Sequence, residues 1–584
     1  MREGKKVDRQ TKVLEFADDE AAEYAILSHR WIDSREVDYE EIVDLAKMDK
    51  AERDEIRGRP GYKKILDTCR QAGRDGYRWI WVDTCCIDKR SSAELSEAIN
   101  SMYRWYGNSR VCYAYLHDVP GLSFPTERNK LRYPSSNGWP EWFSRGWTLQ
   151  EMIAPRNVHF FNKDWRPIGN KKTLARTLTR ITRVPKHILT HGLSANRPCV
   201  AQIISWVANR TTSRLEDRAY SLMGLLDVNM PMLYGEGKRA FHRLQLEIIR
   251  MSNDQSIFAW GTCVEEENVR TGSILADDPS FFWLCSDMEL MDHDQFIESL
   301  KEYIPAEELA LIDQDHFGTF PITNRGIQIW MLLRPYRDSD IVFKAWLPCR
   351  NNSSGPPVMI NLAVWNSNYY RYSLPVDELS TEGHLQFRQV YLRYQDTYHN
   401  VTFEIDDSAM TENGFTFCDL SPSELNGNKL ALRTTDANPL GARVYGNSQE
   451  SLHFAVTLGQ CFGQSWVATH AIDFPISELP RFYKQELVKG PERAQSMAEM
   501  PSLSKRYGRL WVNHIHPPAS PWIMRTSRVV WERSRIGVRI EVLRDSSFDI
   551  GLNEWRILHV EVSGFFVVSI HCYDHLYAGS QRSP

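Results

Sequence analysis

The hydrophobic pattern changes character along the chain. Up to about residue 260, short apolar runs alternate with stretches of helical period; beyond it, short β-like runs are separated by turn residues. Residues 24–28 (YAILS) read as a strand, after which Tyr62, Ile65, Leu66, Cys69 and Ala72 recur at helical spacing. A second strand is predicted at 78–83 (RWIWVD). Ser91 to Glu94 form a capping-box pattern ahead of Leu95, Ala98, Ile99, Met102 and Tyr106, so this helix has a hydrogen-bonded start as well as an apolar face. Residues 111–116 (VCYAYL) give a third strand, 147–153 (WTLQEMI) a short helix halted by Pro155, and 158–161 (VHFF) a fourth strand. This alternation predicts a parallel sheet with right-handed crossovers, an open α/β layer. Ligands of such sheets sit beyond the carboxyl ends of the strands. Here those ends carry Ser28, His29, Arg30 and Trp31; Asp83, Thr84 and Cys85; and His117 with Asp118.

Residues 171–258 read as a helical annex, with Ala219, Leu222, Met223 and Leu226 on one face and Phe241, Leu244, Ile248 and Met251 on another. Between them, Pro231 to Gly237 form a turn whose glycines permit positive φ. Further on, the runs at 327–333, 358–365, 390–394, 452–458 and 538–543 have strand length and composition. The expected organisation is an extension over 1–20, an α/β domain with its annex over 21–265, and a mainly antiparallel β region over 270–584, read as a sandwich.

At 584 residues the chain exceeds the ~250–300 at which one core usually stops growing, which agrees with more than one domain. A net charge of −5 provides no basic field to draw it onto nucleic acid. No apolar run approaches the ~20 residues of a membrane span, and residues 1–12 lack the apolar core of a secretory signal, so a cytoplasmic location is expected. The 11 cysteines lack CxxC pairs and read as reduced thiols rather than disulfides or a zinc site. Asp83, Asp88 and Asp118 have the chemistry of hard-cation ligands, but strand-end carboxylates commonly cap helices and no metal is expected. Cys85, His29 and Asp83 compose, on paper, the nucleophile, base and orienting group of a cysteine hydrolase. Ser28 and His29 are neighbours on a strand and face opposite sides of it, unless the strand has already ended. Gly235 to Gly237 are too short for a phosphate loop.

Taken together, 24–31 (YAILSHRW), 81–89 (WVDTCCIDK), 92–102 (SAELSEAINSM) and 145–151 (RGWTLQE), followed by 216–224 (EDRAYSLMG), 234–237 (YGEG) and Phe241, resemble the heterokaryon incompatibility (HET) domain of filamentous fungi. The resemblance covers roughly residues 20–260. It implies a trigger of self-recognition cell death, acting with an incompatibility partner or by self-association. HET domains are in turn remotely similar to Toll/interleukin-receptor (TIR) domains, which implies a flavodoxin-like layout. Some TIR domains cleave NAD with a glutamate on the helix after the third strand. Glu151 occupies that place here, with Trp147 one turn earlier on the same helical face. A carboxylate facing the ribose would stabilise the oxocarbenium-like transition state, so NAD is the implied substrate and no cofactor is required. Alternatively, Glu151 pairs with a nearby arginine such as Arg145 and fixes the loop, and the domain signals by association without chemistry.

Overall fold

The computed structural model describes residues 22–32, 35–45, 47–193, 197–261, 270–301, 303–309, 312, 318–336, 341–373 and 385–395, and, beyond these, separate strands between 401 and 574. The extension expected over 1–20 lies outside the described residues. The chain divides into two compact units, one comprising 1–264, 275–322 and 346–359, the other 265–274, 323–345 and 360–584.

The first unit opens with β1 (Tyr24–His29), α1 (Tyr39–Asp44), α2 (Lys50–Gly58), α3 (Pro60–Arg74), β2 (Trp79–Trp81), α4 (Ser92–Asn108) and β3 (Val111–Tyr115). It continues with α5 (Thr148–Ile153), β4 (Val158–Phe161) and β5 (Pro167–Asn170). The strands form one sheet in the order β2-β1-β3-β4-β5. The first four are parallel, as the alternating pattern predicts, and β5 is an added antiparallel edge strand.

Strand alternation decides what β1 offers to each side. Ala25 and Leu27 join Tyr62, Ile65 and Ala72 of α3, together with Val111, Tyr113 and Phe161, in one apolar layer. Ser28, of opposite parity, meets Trp142 and Glu151 instead. Since β1 runs through His29, Ser28 and His29 do lie on opposite faces. The start of α4 is half a capping box: Ser91 accepts from Glu94 N at 3.3 Å, while the Glu94 carboxylate accepts from Asp88 N at 2.8 Å.

The helical annex consists of α6 (Ala175–Thr182), α7 (Lys186–His191), α8 (Val200–Ser205), α9 (Asp217–Tyr220), α10 (Met223–Leu226) and α11 (Arg239–Met251). All the apolar positions predicted for it are buried except Met251, which ends α11 and is exposed. The turn before α11 has Gly235 at φ 101° and Gly237 at φ 58°, and both their N–H groups donate to the buried Glu216, at 2.8 and 2.9 Å. One acidic side chain thus ties the 216–224 block to the glycine turn.

Farther along lie β6 (Arg270–Gly272), β7 (Met288–Leu290), α12 (His293–Leu300), α13 (Ala306–Leu309), β8 (Ile327–Pro335), β9 (Val342–Asn351), β10 (Pro357–Trp365), β11 (Asn368–Ser373) and β12 (Gln386–Leu392). The strand order β10-β11-β12-β8-β9, with β9 pairing back onto β10, closes a five-stranded barrel. The strands between 327 and 392, part of the region expected to form a sandwich, thus form a barrel, a closure that leaves no edge among those five strands. The remaining strands are β13 (Val401–Asp406), β14 (Thr416–Ser421), β15 (Lys429–Leu432), β16 (Leu440–Asn447), β17 (Leu452–Cys461), β18 (Gln464–Ile472), β19 (Arg525–Val530), β20 (Ile536–Asp545) and β21 (Gly564–Asp574). They form a five-stranded sheet, β15-β13-β21-β20-β19, and a four-stranded one, β14-β16-β17-β18. All their pairings are antiparallel except β13 with β21. No helix among the described residues is long and apolar enough to cross a membrane.

Candidate functional site

The polar side chains at the carboxyl edge of the parallel sheet resolve into three groups. The most deeply placed centres on Glu151, only 4% exposed on the short helix α5. Its carboxyl accepts a hydrogen bond from Ser28 Oγ at 2.5 Å, and Ser28 Oγ accepts from the indole N–H of the fully buried Trp142 at 2.8 Å. The Tyr106 hydroxyl donates to Leu27 O at 3.0 Å. Burial, reinforced by the negative charge of Asp83, pushes the Glu151 carboxyl up to about 8. Ser28, Arg145 and Arg210 oppose the shift. Arg210 is itself buried, donating to Arg145 O at 2.9 Å and Thr148 Oγ1 at 3.0 Å.

The second group surrounds His29 on the opposite face of β1. His29 Nδ1 lies 3.7 Å from Asp83 Oδ1, and Nε2 lies 3.7 Å from Glu36 Oε2. Both distances exceed a hydrogen bond. Neither ring nitrogen has a hydrogen-bond partner among the described residues, nor do Thr84 Oγ1, Glu36 Oε2 and Asp83 Oδ1. Burial first, then the charge of Lys64, holds His29 well below its ordinary value. Burial likewise raises Asp83, against the pull of Lys89. Glu36 is anchored by Lys64 Nζ at 2.5 Å. Trp31 closes the outer side: its indole donates to Asp83 at 2.8 Å and Lys89 Nζ lies 3.7 Å above its ring.

The third group gathers around Glu141, which is ion-paired with Arg30 and lies 3.5 Å from His117 Nε2. Its backbone N–H donates to Asp118 at 2.8 Å. His117 Nδ1 and Asp118 Oδ1 have no hydrogen-bond partner among the described residues.

The predicted residues therefore fall into separate settings. Glu151 and Ser28 meet directly; His29, Asp83 and Trp31 share a second group; Arg30, His117 and Asp118 belong to the third; and Thr84 is buried, its hydroxyl without a hydrogen-bond partner among the described residues. Trp147 is half-buried, and its carbonyl accepts from Glu151 N at 3.4 Å. Arg145 donates to Ser213 at 3.2 Å and makes no ion pair with Glu151 among the described residues. Cys85 is buried beside Cys86, whose hydrogen bond, with burial, raises its thiol well above the ordinary value. A protonated thiol with no contact to His29 among the described residues lacks the geometry of an activated nucleophile. No three His, Cys, Asp or Glu side chains among the described residues are arranged to hold a metal ion. Trp142, Tyr106, Glu141, Glu36, Lys64 and Arg210 are site members that sequence reasoning missed. For Tyr106 the helical period signalled only a core position.

The domain buries an acid, an imidazole and several cations at the ends of parallel strands, the edge beyond which ligands of open α/β sheets sit. Residues 24–137 match the heterokaryon incompatibility protein (HET) family. Residues 239–271, which include α11, match a domain of unknown function, DUF8212. Over 231 residues the chain is 43% identical to the vegetative incompatibility protein HET-E-1 of Podospora anserina. The match spans 38% of this chain and 16% of that relative.

Proposed function

We propose that the chain is an effector of vegetative incompatibility whose HET domain is its active part and responds to an incompatibility partner or to a second copy. The 43% identity to a protein of that name carries this reading. The chemistry we assign to it is cleavage of the nicotinamide–ribose bond of NAD, with Glu151 as the acidic group. Two observations support this. The parallel strands run in the order β2-β1-β3-β4, which agrees with the flavodoxin-like layout that the TIR resemblance implies although β5 is antiparallel, and Glu151 lies on the helix between β3 and β4. A carboxylate is needed opposite an oxocarbenium-like carbon, whereas Glu151 is covered in this conformation and its carboxyl is pushed up to about 8. Activity thus requires Glu151 to be uncovered and to lose its proton, which suits an effector that stays silent until it is triggered.

The same burial favours a second reading, in which Glu151 is a core acid and the domain signals by association alone. Purified full-length chain incubated with NAD, beside Glu151→Gln, separates the two. Nicotinamide release by the wild type and its loss in the variant supports cleavage. Toxicity in fungal cells that persists in Glu151→Gln, without NAD depletion, rejects it and leaves association.

A further inference from the structure

On the sheet face opposite Glu151 there is an open cleft of about 820 Å3, lined by residues of α2 and α3, the end of β3 and the β4–β5 turn. The lining is strongly basic: Arg57, Arg59, Lys63, Lys64, Arg70 and Lys163, against Asp67. Four of these cations are balanced within the fold. Arg57 pairs with Asp54, Arg59 with Glu41 and Glu55, Lys64 with Glu36, and Arg70 with Asp67. Lys63 and Lys163 are exposed and make no ion pair among the described residues. Two uncompensated ammonium groups in a concave, otherwise neutralised setting constitute a site for an anion.

The second observation is the aromatic wall. Tyr115 and Trp165 both line the cleft and stack at 5.2 Å between centroids, with 17° between ring planes. Trp165 holds φ at 56°, a left-handed conformation costing a non-glycine residue on the order of 1–2 kcal/mol. Asn162 enforces it: its side-chain oxygen accepts from Asp164 N at 3.0 Å and Arg166 N at 2.9 Å, and its carbonyl accepts from Trp165 N at 3.0 Å. The indole Nε1 is buried without a hydrogen-bond partner among the described residues. A strained aromatic residue that leaves its own donor unused is a costly arrangement for packing alone, and such strain tends to gather at functional positions.

We propose that this cleft binds a nucleoside polyphosphate, with Lys63 and Lys163 holding the phosphates and the Tyr115–Trp165 wall taking the base. Phosphates suit compact ammonium groups, and a base stacks on an aromatic face at a cost independent of its identity. The site is independent of NAD cleavage, because Tyr115 and Trp165 pack against the α3 side of the sheet, whereas Ser28 and Glu151 lie on the other.

Isothermal titration of the full chain with ATP, tripolyphosphate and adenosine tests this. ATP should bind most tightly, tripolyphosphate more weakly, and both should weaken as salt rises. Lys63→Glu with Lys163→Glu should reduce ATP affinity at least about tenfold. Both positions are exposed, and an unchanged circular dichroism spectrum confirms the fold. Trp165→Phe should weaken ATP without changing tripolyphosphate binding, and Trp165→Ala should weaken ATP at least about fivefold. ATP binding unaffected by the double charge reversal, or no ATP binding at all, overturns the proposal. Equal binding of ATP and tripolyphosphate, insensitive to both Trp165 variants, overturns the nucleotide assignment.

Discussion

Glu151→Gln isolates the effect of a buried acid on stability. In the folded chain the carboxyl is pushed up to about 8, against an ordinary value of 4.5. Between those values the folded state holds a proton that the unfolded state has released, so stability falls as pH rises. The contribution is complete below about 4.5 and is lost as pH passes through about 8. Applying the linkage relation from pH 5.5 to pH 8.5 gives a loss on the order of 3 kcal/mol from this one group. Glutamine has the shape of the neutral acid, accepts from Ser28, and has no proton to lose. The variant should therefore gain about 3 kcal/mol on the wild type between pH 5.5 and pH 8.5. Urea unfolding of the full chain at several pH values checks this, read by hydrogen-exchange mass spectrometry on the peptides carrying Ser28 and Glu151. Parallel pH profiles for the two proteins would refute an upward shift of the Glu151 carboxyl.

Three further outcomes follow from the packing. Gly224→Ala places a Cβ 2.2 Å from the Tyr103 Cβ, so α10 must move off α4; a loss of about 1–3 kcal/mol should lower the thermal midpoint. Lys171 is buried and its Nζ donates to the carbonyls of Met152 at 3.1 Å, Ile153 at 3.3 Å and Pro155; Lys171→Met should cost about 2–4 kcal/mol in denaturant titrations by leaving the end of α5 unsatisfied. Trp142→Phe removes the donor to Ser28 while keeping the ring, and should cost about 1–3 kcal/mol, with the loss of hydrogen-exchange protection concentrated in β1 and α5.

What the sequence disclosed depended on how local each feature is. Strands β1, β3 and β4 and helices α4 and α5 were legible to within a residue or so, because apolar runs, helical period and Pro155 act over a few positions. The second strand shrank from six expected residues to three, since Asp83 to Cys85 already turn. Helices α1 and α2 carry too little apolar periodicity to announce themselves, although Asp38 with Glu41 and Asp49 with Glu52 form complete capping boxes that were there to be read. Strand β5 was hidden by a proline and a glycine within four residues. Barrel closure by β9 and β10 is a matter of pairing partners, which alternation alone does not specify. The candidate site divides in the same way. Strand-end positions flagged Ser28, His29 and Asp83, but the contact of Ser28 with Glu151 bridges 123 residues of chain, and no local pattern encodes such a pairing.

The amino-terminal sheet is flanked by very short borders. Its outer strands, β2 and β5, have three and four residues, and β5 begins with a proline that has no N–H to donate. Such margins offer an approaching polypeptide few unpaired backbone groups, so continuing the sheet from one molecule into the next is disfavoured. Any gathering of copies is thereby steered toward contacts between helix surfaces and loops. These are shaped by individual side chains, which can change while the strands beneath stay the same.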